Sequence, residues 1–406
     1  MSAEAGAEGA PSGARRGLPG WLKLVFVAAV LAFVATRVPW SDRLVWSGAQ
    51  GSDSVQGEIV GDWKQDEVVF RPAVDLPQGA PAALREALAA GTTLQRAEGL
   101  DWQPGMPRVF GEVRLQGLLA ALGLIFTGVF ITATRWWLLL GAAEVRARWY
   151  DALRLTSLGL FFNIVVPGLT GGDLIKAVLV AKENPGKRTA AVVSVFVDRL
   201  LGLFTLLSMG AAVILAVGGE FAEVRTTVLV LLVGGLLGAL VYTSAPLRRL
   251  VRFDALVARL PMGGAIARLD QAVLIYSRHR LLLVAAYLMS VVNHMMIIVA
   301  ILALGRAFGD QVLDLVDYVI VVSVGNTVSA LPIAPGGWGV GEAAYGYLYT
   351  RLGAAATLGV ATSVGYRLCN MTIGLLGGLF LLLPGARAER ARIEQLRHGA
   401  DQPGPA

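Results

Sequence analysis

The stretch NIVVPGLTGGDLIKAV, residues 163–178, decides the fold. Within an apolar run it places the helix breakers Pro167, Gly168, Gly171 and Gly172, followed by an aspartate and a lysine. Backbone that leaves the helix at membrane depth is tolerated only where it is buried in protein or lines a wet cavity. The stretch therefore predicts a broken helix whose break faces the interior of a membrane protein.

The composition of the whole chain is that of a membrane protein. Of its 406 residues, 55% are hydrophobic and only 16% are charged, whereas soluble proteins carry about 25% charged residues. Most of the long apolar runs reach the roughly 20 residues that cross a bilayer; the runs are 21–38, 115–140, 189–217, 227–242, 281–304 and 354–383. They predict an all-α polytopic membrane protein with about six spanning helices.

The distribution of charge predicts the topology. Loops rich in Lys and Arg face the cytoplasm, and the basic segments are 15–23, 146–154, 182–188, 246–280 and 387–397. Residues 39–114 carry more acids than bases, which indicates the outside. We expect a multi-pass protein of the cell (inner) membrane with both termini in the cytoplasm. Its expected parts are 1–38 with the first helix, an extracytoplasmic insert at 39–114, a transmembrane domain at 115–384 and a tail at 385–406.

The segment 152–181 lies between two basic loops, so it is expected to enter and leave the membrane on the cytoplasmic side. At a rise of about 1.5 Å per residue, a segment of this length is too short for two crossings and a turn. The segment therefore predicts a re-entrant hairpin of two half-helices, broken at Pro167.

A second break, LPIAPGGWGVGEAAYGYLY at residues 331–349, has the same pattern. Pro335, Gly336 and Gly337 interrupt an apolar run, as Pro167 and its glycines do. An arginine follows each proline at the same separation, because 199 − 167 and 367 − 335 are equal. Charge counting places this hairpin on the outer face. The sequence thus predicts two oppositely oriented re-entrant hairpins in an inverted repeat, a pattern typical of transporters, whose breaks lie at the binding site.

Three ionisable residues are expected near the middle of the membrane. Asp198 and Arg199 lie about ten residues, or about 15 Å, into their apolar run, and Arg367 lies at a similar depth in the last run. Such residues are costly unless paired or hydrated, and they are functional candidates by default. Since the guanidinium fork matches phosphate, we expect Arg199 and Arg367 to bind a lipid phosphate, with Lys176 of the first hairpin as a weaker candidate.

The acids Asp173 and Glu342 follow the two breaks, and two interpretations of them stay equally open. Each acid either caps its half-helix or pairs with an arginine and locks the hairpin, or it belongs to the binding site. Asp198 is grouped with these ion-pairing acids, and Arg135 is expected to snorkel or to pair near its neighbouring tryptophans. The other intramembrane polar residues are expected to hydrogen-bond between helices; they are Asn163, Asn293, His294, Asn326 and Asn370.

The region before the second apolar run shows the patterns of a small folded unit. Residues 57–71, GEIVGDWKQDEVVFR, alternate around a turn and predict a hairpin of two strands. Residues 80–91, APAALREALAAG, predict a short helix that stops at glycine. The insert at 39–114 is therefore expected to be a small α+β unit outside the membrane.

Three motifs carry a family resemblance: FFNIVVPGLTGGDLIKA, VDRLLGL and PGGWGVGEAA. With them the chain resembles, over about residues 111–383, the flippase-like transmembrane domain of lysylphosphatidylglycerol synthases. The resemblance implies movement of a phospholipid between leaflets. It does not imply a synthase, because the fused aminoacyl-transferase domain is not expected here. The expected function is translocation of an anionic phospholipid or a lipid-linked precursor.

Other function classes are less favoured. The sequence has no P-loop, no G-x-S-x-G and no HExxH motif, and its single cysteine and three scattered histidines form no metal-ligand pattern. We expect no cofactor, no metal and no nucleic-acid partner. The alternative function is that of a non-catalytic accessory subunit of an envelope lipid or glycan biosynthesis enzyme. An enzymatic function is less favoured than translocation or the accessory role, because these catalytic motifs are absent. It would need Asp198 or Asp173 as a catalytic base.

Overall fold

The computed structural model describes residues 39–48, 51–77, 79–97, 99–165, 171–217, 222–250, 263–329 and 338–382. Several features of the sequence lie outside the described residues: the first apolar run, the tail at 385–406 and the breaks at Pro167, Gly168, Pro335, Gly336 and Gly337. Gly171 and Gly172 are described and begin a helix.

The insert is built on a five-stranded antiparallel sheet in the order β4-β3-β2-β1-β5. Its strands are β1 (Asp42–Gly48), β2 (Gly51–Val60), β3 (Glu67–Pro72), β4 (Leu94–Gln95) and β5 (Leu100–Gln103). Two short helices complete it, α1 (Ala82–Ala90) and α2 (Met106–Gly111). The predicted strand hairpin is confirmed as β2 and β3. The predicted helix is confirmed as α1, and Gly91 ends it in the left-handed conformation, with φ of 65°.

Alternation along the strands gives the insert a core. Leu44 and Trp46 of β1 and Val68 and Phe70 of β3 are buried, because side chains two residues apart point to the same face of a strand. Trp102 of β5 is buried in the same cluster. The sheet therefore presents one apolar face to the inside of the insert.

Asp42 ties the sheet to α2. Its carboxylate accepts hydrogen bonds from the backbone N–H of Ile59 at 3.0 Å and of Gly105 at 2.6 Å. Arg108 donates a further hydrogen bond to it through Nε at 2.9 Å. The Asp42 side chain is only 7% exposed, so these three donors take the place of water around a buried charge.

A helical bundle follows the insert. In the described residues its helices are α3 (Leu115–Ala142), α4 (Trp149–Val165), α5 (Gly171–Glu183), α6 (Arg188–Val217), α7 (Ala222–Thr243), α8 (Ala245–Leu250), α9 (Gly263–Ser277), α10 (Arg280–Phe308), α11 (Leu315–Ser329), α12 (Val340–Arg351) and α13 (Ala356–Gly378). Helix α3 packs along α10, α13 packs against α4 and α12, and α6 packs against α11.

Four helices of the described part are long and apolar enough to cross a membrane. They are Leu115–Ala142, Pro185–Val213, Arg280–Phe308 and Ala356–Leu381. They coincide with four of the six predicted runs, which confirms a polytopic helical architecture. The run at 227–242 forms α7, which is not among these four.

Two pairs of shorter helices stand on either side of the two breaks. Helix α4 packs against α5, and α11 packs against α12. In each pair an asparagine of the first helix accepts a hydrogen bond from the second. Asn163 accepts from the backbone N–H of Gly172, and Asn326 accepts from the hydroxyl of Tyr345, both at 2.9 Å. The prediction that the intramembrane polar residues join helices is confirmed for these two asparagines, whereas His294 and Asn370 hydrogen-bond to carbonyl oxygens of their own helices.

Glycine in the first turn of α5 and of α12 permits close packing. A Cβ on Gly172 would overlap the carbonyl oxygen of Gly159 on α4. A Cβ on Gly341 would lie 2.5 Å from Nη2 of Arg367 on α13. A larger residue at Gly172 would force α5 away from α4, because the contact is with backbone, whereas one at Gly341 would displace the Arg367 side chain.

We expect Asp42→Ala to unfold the insert. The substitution leaves two buried backbone N–H groups without their acceptor and removes the carboxylate from Arg108 Nε, and each unsatisfied buried group costs about 1–3 kcal/mol. Limited proteolysis of the purified protein should then cut within residues 42–111 at a lower protease concentration. Asp75→Ala, at an exposed position of the same insert, should leave the cleavage pattern unchanged. Equal resistance of both variants would contradict the assigned role of Asp42.

Candidate functional site

A polar cavity of about 290 Å³ lies inside the bundle, between α3, α4, α5, α6 and α10. Its polar lining residues are Thr132, Arg135, Thr156, Asn163, Asp173, Lys176, Asp198, Arg199 and His294. We call it the central cavity. Two of the three expected phosphate-binding residues, Arg199 and Lys176, line it, together with the acids Asp173 and Asp198.

The central cavity lies at the midpoint of two apolar helices. Arg199 is the middle residue of Pro185–Val213, and His294 is the middle residue of Arg280–Phe308. Each of these helices has 29 residues, so that at a rise of about 1.5 Å per residue the midpoint is about 21 Å from either end. Charged groups at such a position are costly unless paired or hydrated.

Asp198 is the centre of a buried charge network. Its carboxylate lies 2.9 Å from Nε of Arg135 and 3.8 Å from Nζ of Lys176. The three side chains are at most 10% exposed. Arg135 also donates to the hydroxyl of Ser290 on α10, and Lys176 lies 3.8 Å from the centroid of the Trp136 ring. The network thus joins α3, α5, α6 and α10.

Of the two expectations for Arg135, pairing is confirmed and snorkelling is wrong. The side chain is buried, and it reaches across to Asp198 on α6 rather than towards the end of its own helix. Its partner lies 63 residues away in the sequence, so no local pattern could have identified the pair. The physical reason is that pairing with a buried carboxylate satisfies both charges without water.

Asp173 and Arg199 form a second pair at the same cavity. Nη1 of Arg199 donates to Oδ2 of Asp173 at 2.9 Å. This pair is open, since the side chains of Arg199 and Asp173 are 53% and 29% exposed. Asp173 lies in the first turn of α5, where the helix dipole also stabilises a carboxylate.

The basic residues of the central cavity outnumber the acidic ones. Arg135, Lys176 and Arg199 supply three basic side chains against the two carboxylates of Asp173 and Asp198. The cavity is therefore suited to an anion. Among the described residues, no three His, Cys, Asp or Glu side chains come together as metal ligands.

Glu342 and Arg367 form the corresponding pair at the second break, outside the central cavity. Glu342 Oε1 lies 2.5 Å from Arg367 Nε, and its Oε2 accepts a hydrogen bond from the Gly339 N–H at 2.6 Å. Arg367 also lies 4.9 Å from the Trp338 ring. This pair is closed, since the side chains of Glu342 and Arg367 are 4% and 17% exposed. Glu342 therefore both caps α12 and pairs with its arginine.

The family model described as the lysylphosphatidylglycerol synthase TM region matches residues 99–378. The matched segment includes every charged residue of the central cavity and the pair at the second break, and it covers well over half of the chain. The chain belongs to this family. The resemblance seen in the three sequence motifs is thereby confirmed.

A curated relative agrees with this assignment. The chain is 23% identical over 310 residues to the UPF0104 membrane protein PH1989 of Pyrococcus horikoshii, and the alignment covers 70% of this chain and 92% of that protein. No solved structure matches the chain. With four helices able to span a bilayer, this member of the family is a multi-pass membrane protein.

We expect Asp198→Asn to destabilise the protein more than Arg135→Gln does. Removing the Asp198 charge leaves both Arg135 and Lys176 without a carboxylate, whereas removing the Arg135 charge leaves Asp198 with Lys176. The expected loss for Asp198→Asn is about 3–5 kcal/mol, measured by unfolding of the protein in nanodiscs. The control is Glu144→Gln, which removes an exposed carboxylate whose pKa is lowered by its hydrogen bond to Lys187. Its unfolding midpoint should match that of the wild type, and equal losses for Asp198→Asn and Arg135→Gln would refute the network.

Proposed function

We propose that this protein translocates an anionic phospholipid, or a lipid-linked precursor with a phosphate, between the two leaflets of the cell membrane. The observation that carries the proposal is the central cavity, which has three basic side chains against two carboxylates at the midpoint of apolar helices. A lipid phosphate that crosses the membrane needs a positively charged, partly hydrated site at this depth.

Arg199 is the proposed phosphate contact. It is the most exposed of the three cations that line the cavity, and its planar fork binds phosphate through two parallel hydrogen bonds. Arg135 and Lys176 are held by Asp198 and act through their charge. An arriving phosphate competes with Asp173 for Arg199, so Asp173 keeps the site neutralised between transport events.

The surface beside Arg199 suits the acyl chains. Phe196, Leu200 and Leu203 on α6 and Leu174 on α5 are large apolar side chains that are 39% to 64% exposed. They lie within one helical turn of Arg199 or next to Asp173. A lipid can therefore place its headgroup in the cavity while its chains stay against this apolar surface in the bilayer.

The two breaks are proposed to form oppositely oriented re-entrant hairpins of an inverted repeat. Four features support the correspondence: a short helix after each break, a first-turn acid, an asparagine that bridges the helix pair, and an arginine near the middle of the next span. In this arrangement Arg367 is the counterpart of Arg199, and its site opens when the pair with Glu342 separates.

The proposed topology has both termini in the cytoplasm and the insert outside. In a Cys369→Ser background, a cysteine at exposed Ser54 should react with a membrane-impermeant maleimide added to intact cells. A cysteine at exposed Arg146 should react only after the cells are opened. Labelling at residue 54 only from the cytoplasmic side would reverse the topology.

We expect Arg199→Lys and Arg199→Gln to slow leaflet exchange of fluorescent phosphatidylglycerol in proteoliposomes by at least about tenfold. Lysine keeps the charge but loses the bidentate fork. Arg146→Gln, which removes an arginine outside the cavity, is the matched control and should exchange lipid at the wild-type rate.

The double variant Arg199→Gln with Asp173→Asn separates binding from structure. Because it leaves neither charge unpaired, it should recover wild-type stability, while exchange stays slow. Full recovery of exchange would show that the pair is structural. Absence of exchange by the wild-type protein would instead favour the accessory role in envelope biosynthesis.

A further inference from the structure

A second cavity, of about 210 Å³, lies where the insert meets one end of the bundle. We call it the junction cavity. Two turns of the insert form one wall, with Trp63 and Lys64 before β3 and Arg96 and Asp101 around the start of β5. The opposite wall belongs to the bundle, between the end of α10 and the start of α13.

The junction cavity is held in shape by contacts on both sides. The Trp63 indole N–H donates to Glu112 at 3.1 Å, and the Trp102 indole N–H donates to the carbonyl oxygen of Trp63 at 2.8 Å. Gly309, with φ of 99°, ends α10, and a Cβ there would lie 2.9 Å from the Trp63 ring. The insert therefore rests directly on the bundle, so the cavity is preformed, as binding sites usually are.

The two basic residues of the junction cavity are each held by carboxylates. Lys64 lies 3.1 Å from Glu112, and Arg96 lies 2.9 Å from Asp101 and 3.9 Å from Asp66. A bound anion would have to compete with Asp101 for Arg96, and a bound cation would have to compete with Arg96 for Asp101. A charged ligand is therefore disfavoured.

A hydroxyl group does not have to displace Arg96 or Asp101 from their ion pair. It accepts one hydrogen bond and donates another, so neighbouring hydroxyls can accept from Arg96 and donate to Asp101 while the ion pair stays intact. Both side chains are accessible, with exposed fractions of 38% and 51%. Val312, Ala354 and Leu358 supply an apolar wall, which suits the C–H face of a sugar ring or a glycerol unit.

We propose that the junction cavity binds a neutral, hydroxyl-rich group, namely a sugar or glycerol unit. The cavity is smaller than the roughly 300–1,000 Å³ of drug-sized sites, so it takes one such unit. This site is separate from the central cavity, because Phe308 at the end of α10 is about 21 Å along the helix from His294. The unit comes from a glycolipid headgroup or from a free sugar, and the binding chemistry is the same.

The test is calorimetric titration of the full chain in phosphatidylcholine nanodiscs, because glycoside detergents carry the same chemistry as the ligand. Methyl glucoside is the neutral probe, and inorganic phosphate and tetramethylammonium are the charged probes. Asp101→Ala removes an acceptor, and Val312→Trp fills the rim of the cavity. Glu58→Ala removes an exposed acid of the same insert that does not line the cavity.

We expect saturable binding of methyl glucoside by the wild type and by Glu58→Ala. Asp101→Ala and Val312→Trp should bind it at least about tenfold more weakly, because the first loses a charged hydrogen-bond acceptor and the second fills the cavity. If a glucosyl diacylglycerol in the disc competes with the free probe, the source is a lipid headgroup; if it does not, the source is a free sugar. Equal binding by all four proteins, no binding of either glucoside, or preference for a charged probe would overturn the proposal.

Discussion

Charge pairing at the middle of apolar helices is the constraint on which the rest of the structure depends. Asp198, Arg199 and Arg367 each sit near the midpoint of a helix that is able to span a bilayer, where an unpaired charge is expensive. Their partners come largely from the short helices: α5 supplies Lys176 and Asp173, and α12 supplies Glu342. A helix that begins beside a break can deliver a side chain from its first turns to that depth. The short helices that begin beside the breaks therefore supply the partners of the charged residues on the long helices.

The Glu342–Arg367 and Asp173–Arg199 pairs differ in how far their side chains are exposed. Glu342 and Arg367 are nearly sealed, with a helix cap and a tryptophan ring around them. Asp173 and Arg199 are open to the central cavity, where basic side chains outnumber acidic ones. An anion can reach Arg199 without moving a helix, whereas reaching Arg367 requires the Glu342 pair to separate. The chain thus presents one accessible arginine, Arg199, and one closed arginine, Arg367.

Sequence patterns predicted much of this fold because the relevant signals are local. Apolar runs long enough to cross a bilayer predicted the four spanning helices, and depth along a run marked Asp198, Arg199 and Arg367 as candidates. The pairing of Asp173 with Arg199 was one of two open alternatives. The identity of the Arg135 partner, Asp198, and most of the sheet were missed, because these contacts are distant in sequence. Leu44 of β1, for example, pairs with Trp102 of β5, and no periodicity in either strand identifies its neighbour.

Buried ion pairs are weak contributors to stability, and apolar replacements of similar volume are often neutral or stabilising. Under the proposed function, their presence in the central cavity is explained by binding rather than by folding. Helix α10 extends from this cavity to the junction cavity, about 21 Å away, which exceeds half of the roughly 30 Å hydrocarbon core. Under the proposed function, a phosphate headgroup that moves along α10 from the central cavity therefore leaves the hydrocarbon core before it reaches the end of the helix.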